Sequence, residues 1–481
     1  MKSIKRNFIY NALLKVTSVV FPLITAPYIS RVLEPDGLGF FNFATTYANY
    51  FALVAVLGIP QYGIRKVASS RDDKNQLQRT VSELMSISLI ATICVTLVYL
   101  ATLLIIGEFR ENYIYFLIAG IALYLAPLKV EWFFSGMEEY GYITFRALVI
   151  RTLSIVAMFL FVKDKNDLII YIAIAALSTV ITDLWNLTKM YKMGVKPRFT
   201  MKGLKPHLHP VLILFSASIA ISIYTVLDTL MLGFMSDYSQ VGYYSSTSHL
   251  SKTLLALVTS LSVVAMPRMS YYKETGNTRE LNNLANKSLS FVSFLAIPMA
   301  VGIVCLSPTF VPLFFGEMYY DAIIPLQIIC FLIIAIGMNN ITGVQILVAL
   351  GHDKPFFYSV LTGTIFNFLT NLMLIPKLGA IGASIASVGA ELLILFVTAR
   401  YVYKKTDIRF NQLSDIVKSI LGSLIFIPLY ILCKQVFHGW VLVCVFPVIG
   451  ALLFCSIEAL LKHSSFNMIF NTVLSALKIK K

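Results

Sequence analysis

Fourteen blocks of mostly apolar residues, each about as long as a bilayer is thick, constrain this chain more than any motif in it. A helix needs ~20 apolar residues to cross the hydrocarbon core of a membrane. Blocks of that kind run at 7–30, 39–62, 81–106, 113–134, 142–162, 168–189, 209–234, 242–266, 286–307, 322–348, 356–376, 380–402, 415–436 and 440–461. They are continuous rather than alternating ten-residue strands, which excludes an outer-membrane barrel. Composition agrees: of 481 residues 58% are hydrophobic and 13% charged, where a soluble domain carries about a quarter charged residues. The longest connection, 189–210, is too short for a soluble domain. The expected fold is therefore all-α, a polytopic membrane protein of 14 transmembrane helices.

The opening stretch MKSIKRNFIYNALLK has no small-residue cleavage site and runs on past Ile29, so it reads as a first helix rather than a signal peptide. Lysine and arginine orient the bundle, because cytoplasmic loops hold the excess. Of 39 basic residues, Arg31, Arg110, Lys163, Lys165, Lys377 and Lys434 fall on one side, Lys15, Arg151 and Lys252 fall within blocks, and all the rest fall on the other side with both termini. Both termini are thus expected in the cytoplasm, as an even helix number requires. The net charge of +15 follows from this asymmetry and from attraction to anionic lipid, so nucleic-acid binding is not needed.

A weak internal repeat divides the chain. Gly39-Phe40-Phe41 matches Gly242-Tyr243-Tyr244, Gly107-Glu108 matches Gly316-Glu317, and Gly136 matches Gly351. Six helices separate the copies, so both enter the membrane from the same side, a parallel repeat. The implied organisation is an N-terminal lobe at 1–200, a C-terminal lobe at 201–407, and two additional helices with a cytoplasmic tail at 408–481. Two pseudo-symmetric six-helix lobes suit alternating access around a central cavity.

Polar residues inside the blocks mark candidate sites, since an unsatisfied polar group in lipid costs several kcal/mol. Block eight begins YYSSTSHLSK. Shifting block two by one repeat lays Asn42, Thr45, Thr46 and Asn49 on Ser245, Ser248, His249 and Lys252. Either the two stripes wall one wet cavity, or they are hydrogen bonds between tightly packed helices. Lys15, near Thr17 and Ser18, precedes Pro22 and Pro27, which would kink the outer half of its helix. Arg65, Lys129, Arg146 and Arg151 sit at or inside cytoplasmic helix ends with Glu131, Glu138, Glu139 and Asp183 nearby. The guanidinium fork suits phosphate. The positive-inside rule is the reading for Arg65 and Lys129, and function for the deeper Arg151, with Asp183 as its partner. Asp228 and Lys252 are expected at similar depth, able to pair. Asn367 and Asn371, one turn apart, with Ser384, Ser387 and Asp228, are oxygen ligands of the type a hard cation prefers, and Glu391 is a separate candidate for proton coupling.

Cys94, Cys305, Cys330, Cys433, Cys444 and Cys455 lie inside apolar blocks without a CxxC pair, so neither disulfides nor a metal site is expected. No Walker loop, HExxH or GxSxG is present. The chain is not expected to be an enzyme or to carry a cofactor, and coupling falls to Na+ or H+ if to anything.

The stretches FPLITAPYISRVLEPDGLGFFNFA, GIPQYGIRKVASSRDD, WFFSGMEEYGYITFR and LDTLMLGFMSDYSQVGYYSSTSHLSK resemble, in order, the Wzx polysaccharide (O-antigen and capsule) flippases of the multidrug/oligosaccharidyl-lipid/polysaccharide exporter superfamily. The loop EPDG departs from the family pattern in placing Glu34 where a glycine precedes the proline. The resemblance implies two six-helix lobes in a V around a cationic cavity. It also implies a cargo, an undecaprenyl-diphosphate-linked oligosaccharide repeat unit carried from the inner to the outer leaflet of the bacterial cytoplasmic membrane. Lys15, Asn42, Thr46, Asn49, Arg146, Arg151, His249 and Lys252 would bind it. In the related lipid II flippases, residues on helices seven, eleven and twelve hold sodium. Asp228, Asn367 and Asn371 fall on the matching helices, with Asn where a carboxylate is the family's second acid, and Glu391 completes the ion-coupling set. A polysaccharide polymerase and chain-length machinery are the implied partners. The alternatives are a drug/cation antiporter of the same superfamily and a membrane polysaccharide polymerase.

Overall fold

The computed structural model describes residues 4–468 and 470, and nearly all of them are helical. Each backbone donor in lipid must be satisfied within its own segment, and helices do this without a partner. Among the described residues nine helices are long and apolar enough to cross a membrane. Two of these hold two expected blocks each. Ile4–Val56 spans blocks one and two across a break at Glu34 (φ 60, ψ 174), and Asp353–Lys405 spans blocks eleven and twelve across Gly379 (φ 52, ψ −127). Block eight lies on a pair bent by 42°, Tyr238–Thr259 with Val264–Glu274, while blocks four and seven fall on the shorter apolar helices Tyr113–Leu128 and Val226–Met235. The chain is thus an all-helical, multi-pass membrane protein, and the expected fourteen blocks are consistent with its helices.

Both breaks have a local cause. Pro35 and Pro376 cannot donate to the turn before them. Gly379 reaches its left-handed backbone without a Cβ clash, and a Cβ there would meet Gln240 Oε1 at 2.4 Å. That oxygen accepts from the amide of Ala380 at 2.9 Å, closing the corner. Glu34 occupies a region of backbone space that is essentially glycine's. The glycine missing from EPDG is therefore missing where the chain needs one.

The chain forms two compact units, Met1–Gly233 and Phe234–Lys481. In the first, Ile59, Tyr62, Val67, Leu84, Val130, Trp132 and Phe133 form a core near one end of the bundle. Gly63 lies against Trp132 so closely that a Cβ would stand 2.4 Å from the indole Cε3. A second cluster stacks Phe43, Tyr47, Phe109 and Phe116, with Tyr47 and Phe109 centroids 4.9 Å apart. The connection that follows Leu168–Lys192 is strapped to the helix Lys74–Ile105: the amides of Arg198 and Thr200 donate to Ser82 Oγ and Ser86 Oγ, each at 3.0 Å. In the second unit Val258, Leu289, Ile333, Ile346 and Leu347 form the core, and Phe426, Phe446 and Phe454 join the last helices to Thr278–Phe315. Large apolar side chains such as Leu97, Ile105, Phe396 and Leu452 are left outside, as expected of surfaces facing lipid rather than water.

Candidate functional site

The first unit encloses a polar cavity of about 690 Å³ among the helices Ile4–Val56, Tyr140–Phe161 and Leu168–Lys192. Three-residue spacing puts Asp183 and Asn186 on one face, and both are buried. Arg146, only 2% exposed, reaches across to them: its guanidinium donates to Asn186 Oδ1 and pairs with Glu131. Tyr142 supports the same amide, its hydroxyl donating to Asn186 Oδ1 at 3.2 Å while its ring lies 5.7 Å from the Arg146 guanidinium. Lys129 lines the cavity too, and it and Arg146 are the cations whose charge acts on Asp183. Arg151 is half-buried on the same wall, with Nη1 donating to Thr17 Oγ1 at 3.3 Å. Opposite stand Ser18, Pro22 and Asn49, all on Ile4–Val56.

Several polar atoms in this cavity have no bonding partner among the described residues. Asp183 Oδ2, Arg146 Nε and Asn186 Nδ2 are buried and unbonded. Buried polar groups are bonded in the great majority of cases, and orphans call for a ligand or water. The site thus offers anion-binding donors and one acceptor, already organised by the surrounding side chains.

The structure brings together some of the residues selected from sequence and leaves others apart. Arg146, Arg151 and Asn49 share this cavity, whereas Lys15, Asn42 and Thr46 lie outside its lining; Lys15 is exposed and the other two are half-buried. Lys129, assigned above to the positive-inside excess, faces the cavity instead. Asp183 lies with Lys129 and Arg146, while the contact of Arg151 is Thr17. In the second unit the hydroxyl stripe of Tyr238–Thr259 divides. Ser245, Ser246, Thr247, Ser248 and Ser251 are buried, with Thr247 donating to Tyr243 O of its own helix at 2.9 Å. His249 and Lys252 are exposed.

Of the ion-coupling candidates, Asp228 is buried in the first unit and the other three are buried in the second. Asn371 Nδ2 donates to Asn367 Oδ1 at 3.1 Å, fulfilling the one-turn spacing. The hydroxyls of Ser384 and Ser387 turn back to Ala380 O and Ala383 O. Glu391 meets a residue that sequence did not single out: Asn339 Nδ2 donates both to its carboxylate and to its carbonyl, the latter at 2.9 Å. Asn339 ends a helix that continues as the π-helix Asn340–Val348, a local widening common at functional sites. The signal available in sequence was an Asn-Asn pair inside an apolar block. Among the described residues no group of three His, Cys, Asp or Glu could hold a metal ion. The oxygens of Asn367, Asn371, Ser384 and Ser387 fit a hard cation in kind, but none of these four is a carboxylate.

Comparison with known proteins places this geometry. The family described as "Polysaccharide biosynthesis protein" matches residues 4–273, and the family MatE matches 214–373. A protein of Escherichia coli (strain K12) described as "Putative O-antigen transporter" is 24% identical over 411 residues, covering 83% of this chain and 97% of its own length. Among solved structures, the lipid II flippase MurJ in an inward closed conformation shares the fold, with a TM-score of 0.73 at 16% identity over 94% of this chain and 98% of its own. An inward-facing multidrug MATE transporter does so with a TM-score of 0.62 at 15% identity over 83% and 99%.

Proposed function

Because this chain belongs to the polysaccharide biosynthesis protein family, we propose that it is a flippase for undecaprenyl-diphosphate-linked oligosaccharide repeat units, moving them by alternating access between the leaflets of the bacterial cytoplasmic membrane for surface polysaccharide synthesis. The observation that carries this reading is the cavity of the first unit: the buried Arg146 and half-buried Lys129 and Arg151 beside unbonded polar atoms, set among three helices. A diphosphate needs such donors, and charge-assisted hydrogen bonds to it are worth about 1.5 to 3 kcal/mol each. Arg151 and Arg146 take the phosphate or an acidic sugar. Lys129 and Asp183 hold the local charge near neutral when the site is empty. Asn49 and Ser18 offer sugar-binding polar groups. Lys15, Asn42 and Thr46 in the first unit, and His249 and Lys252 in the second, are further cargo-binding candidates outside this cavity.

The names of the relatives support the cargo class: one is described as transporting O-antigen and another as flipping lipid II. Both termini lie in the cytoplasm in this reading, on the basic side of the bundle. Transport draws on H+ at Glu391, with Asn339 as the group that senses its charge, or on Na+ at Asn367 and Asn371, with Asp228 as a separate acidic candidate. A polymerase and chain-length machinery receive the product. The drug/cation antiporter alternative draws on the MatE match over 214–373, but antiport of cations calls for an acidic cavity, and the cations here outnumber the acids. A membrane polymerase finds no support in the named relatives.

The test is replacement of the chromosomal gene by variants. Arg151→Gln should abolish surface polymer and leave lipid-linked repeat units behind, at normal protein level. Normal polymer in that strain would overturn the assignment.

A further inference from the structure

A second polar pocket, of about 400 Å³, lies in the first unit apart from that cavity, on the side where the basic connections gather, and takes no part in the transport reading. One wall is the polar start of Lys74–Ile105, with Asn75, Gln78 and Arg79; the other is the strap with Arg198, Thr200 and Lys202. The strap is fixed, because its amides donate to Ser82 and Ser86 and Lys202 N donates to Thr200 Oγ1 at 3.1 Å. Gly203, at φ 80 in the left-handed region, lets the strap pass over Glu83, where a Cβ would stand 2.0 Å from Oε1.

The charge balance of the pocket favours an anion. Glu83 is the single acid in its lining, and its two oxygens already accept from Arg79 Nε and His207 Nε2, both at 2.8 Å, with His207 Nδ1 in turn 2.9 Å from the Tyr62 hydroxyl. Arg198 and Lys202 are exposed and have no carboxylate within 4.0 Å among the described residues. Two further side chains indicate where that anion comes from. Phe199 and Met201, alternating with the cations along the strap, are 59% and 69% exposed. Water-facing loops rarely present such a pair, whereas apolar side chains beside basic ones at a helix end are the pattern of an interfacial segment seated between headgroups and acyl chains.

We propose that this pocket binds the phosphate of an anionic phospholipid, with Arg198 and Lys202 as its charged ligands, Asn75 and Gln78 as neutral donors, and Phe199 and Met201 set among the acyl chains. The site fixes the strap, and with it the connection between the two halves of the repeat, to the membrane surface. It is independent of the transported cargo.

The test uses the full chain purified in neutral detergent and titrated with phosphatidylglycerol, phosphatidylcholine or inorganic phosphate, with bound molecules counted by native mass spectrometry. Phosphatidylglycerol should bind in preference to phosphatidylcholine. Arg198→Gln with Lys202→Gln should weaken it by roughly fivefold for each cation removed, hence about 25-fold together. Arg198→Lys with Lys202→Arg should restore binding, and Lys404→Gln with Lys405→Gln should leave it unchanged. Phe199→Ser with Met201→Ser should weaken the lipid only. Equal affinity in the doubly neutralised protein, equal binding of the two lipids, or displacement of the lipid by inorganic phosphate at the same concentration would each overturn the proposal.

Discussion

Replacing Arg151 by Gln separates recognition from folding better than any other change in the cavity. The side chain is half-buried and its recorded bond, to Thr17 Oγ1, is 3.3 Å long. A long, partly solvated bond to a neutral hydroxyl contributes below about 1 kcal/mol to stability. The shorter glutamine gives up this contact, so the loss stays within that figure. The cost to a bound diphosphate is larger, because an Arg–phosphate contact contributes about 1.5 to 3 kcal/mol, a factor of about 10 to 150 in affinity. Arg146 offers the contrast. It is buried, bonded to Asn186 and paired with Glu131, and removing one member of a buried ionic network costs about 3 to 5 kcal/mol. Because the Glu131 side chain is 53% exposed and remains solvated, Arg146→Met should fall toward the lower end of that range. The assay is thermal unfolding of each purified variant alongside its affinity for a short-chain polyprenyl-diphosphate glycan. Arg151→Gln should unfold within a degree or two of the parent and bind at least tenfold more weakly, while Arg146→Met should lose both. An Arg151→Gln protein that binds like the parent refutes the argument, and so does one that fails to fold.

Other consequences follow from single positions. Glu34→Gly should raise stability by about 0.5 to 2 kcal/mol, the ~1 to 3 kcal/mol of backbone strain less the extra entropy of glycine in the unfolded chain; an unchanged or lower unfolding temperature counts against strain at this kink. Gly63→Ala should destabilise by about 1 to 3 kcal/mol, since the new methyl meets the Trp132 ring, and a neutral result would show that the ring can move aside. His463, just beyond the last described apolar helix, is fully buried, and burial holds its pKa below the ordinary value, against the opposing pull of Asp415. The native state then binds fewer protons than the unfolded one, so stability falls as pH drops through about 6.5 and levels off below the depressed folded value. The groups around it are Asp415, Lys418, Ser419 and Glu458. His463→Asn should flatten the unfolding temperature between pH 7 and 5 relative to the parent, and an unaltered slope would assign the effect to the neighbouring acids.

The helices were legible because a membrane demands one thing of sequence, a run of about twenty apolar residues, and the runs read from sequence fall largely on helices here. What sequence could not give was which polar faces meet. Periodicity shows that Asp183 and Asn186 share a face, but the partner that reaches them, Arg146, is on another helix. Lys129 sits at a helix end like any positive-inside lysine, and only the fold turns it toward Asp183. The serine and threonine run of block eight looked equally like a wet wall and a packing face. The fold buries most of it, and small hydroxyl residues such as Thr247 return their donors to their own helix backbone. Asn339 was overlooked because an amide in an apolar block carries no charge to mark it, yet it contacts Glu391. The kink at Glu34 was legible only as a departure from a family pattern, since a single sequence does not reveal that a glutamate occupies a glycine's conformation.

The central claim is that the cationic cavity serves passage of a lipid-linked glycan across the bilayer. It is tested most directly in proteoliposomes carrying a fluorescent polyprenyl-diphosphate oligosaccharide, with dithionite added outside to quench only the outer leaflet. The account predicts that the wild-type protein exposes the inner-leaflet pool to quenching while vesicles with Arg151→Gln behave like protein-free ones. Protection of that pool by the wild-type protein, equal to that in empty vesicles under imposed Na+ and H+ gradients, would contradict it.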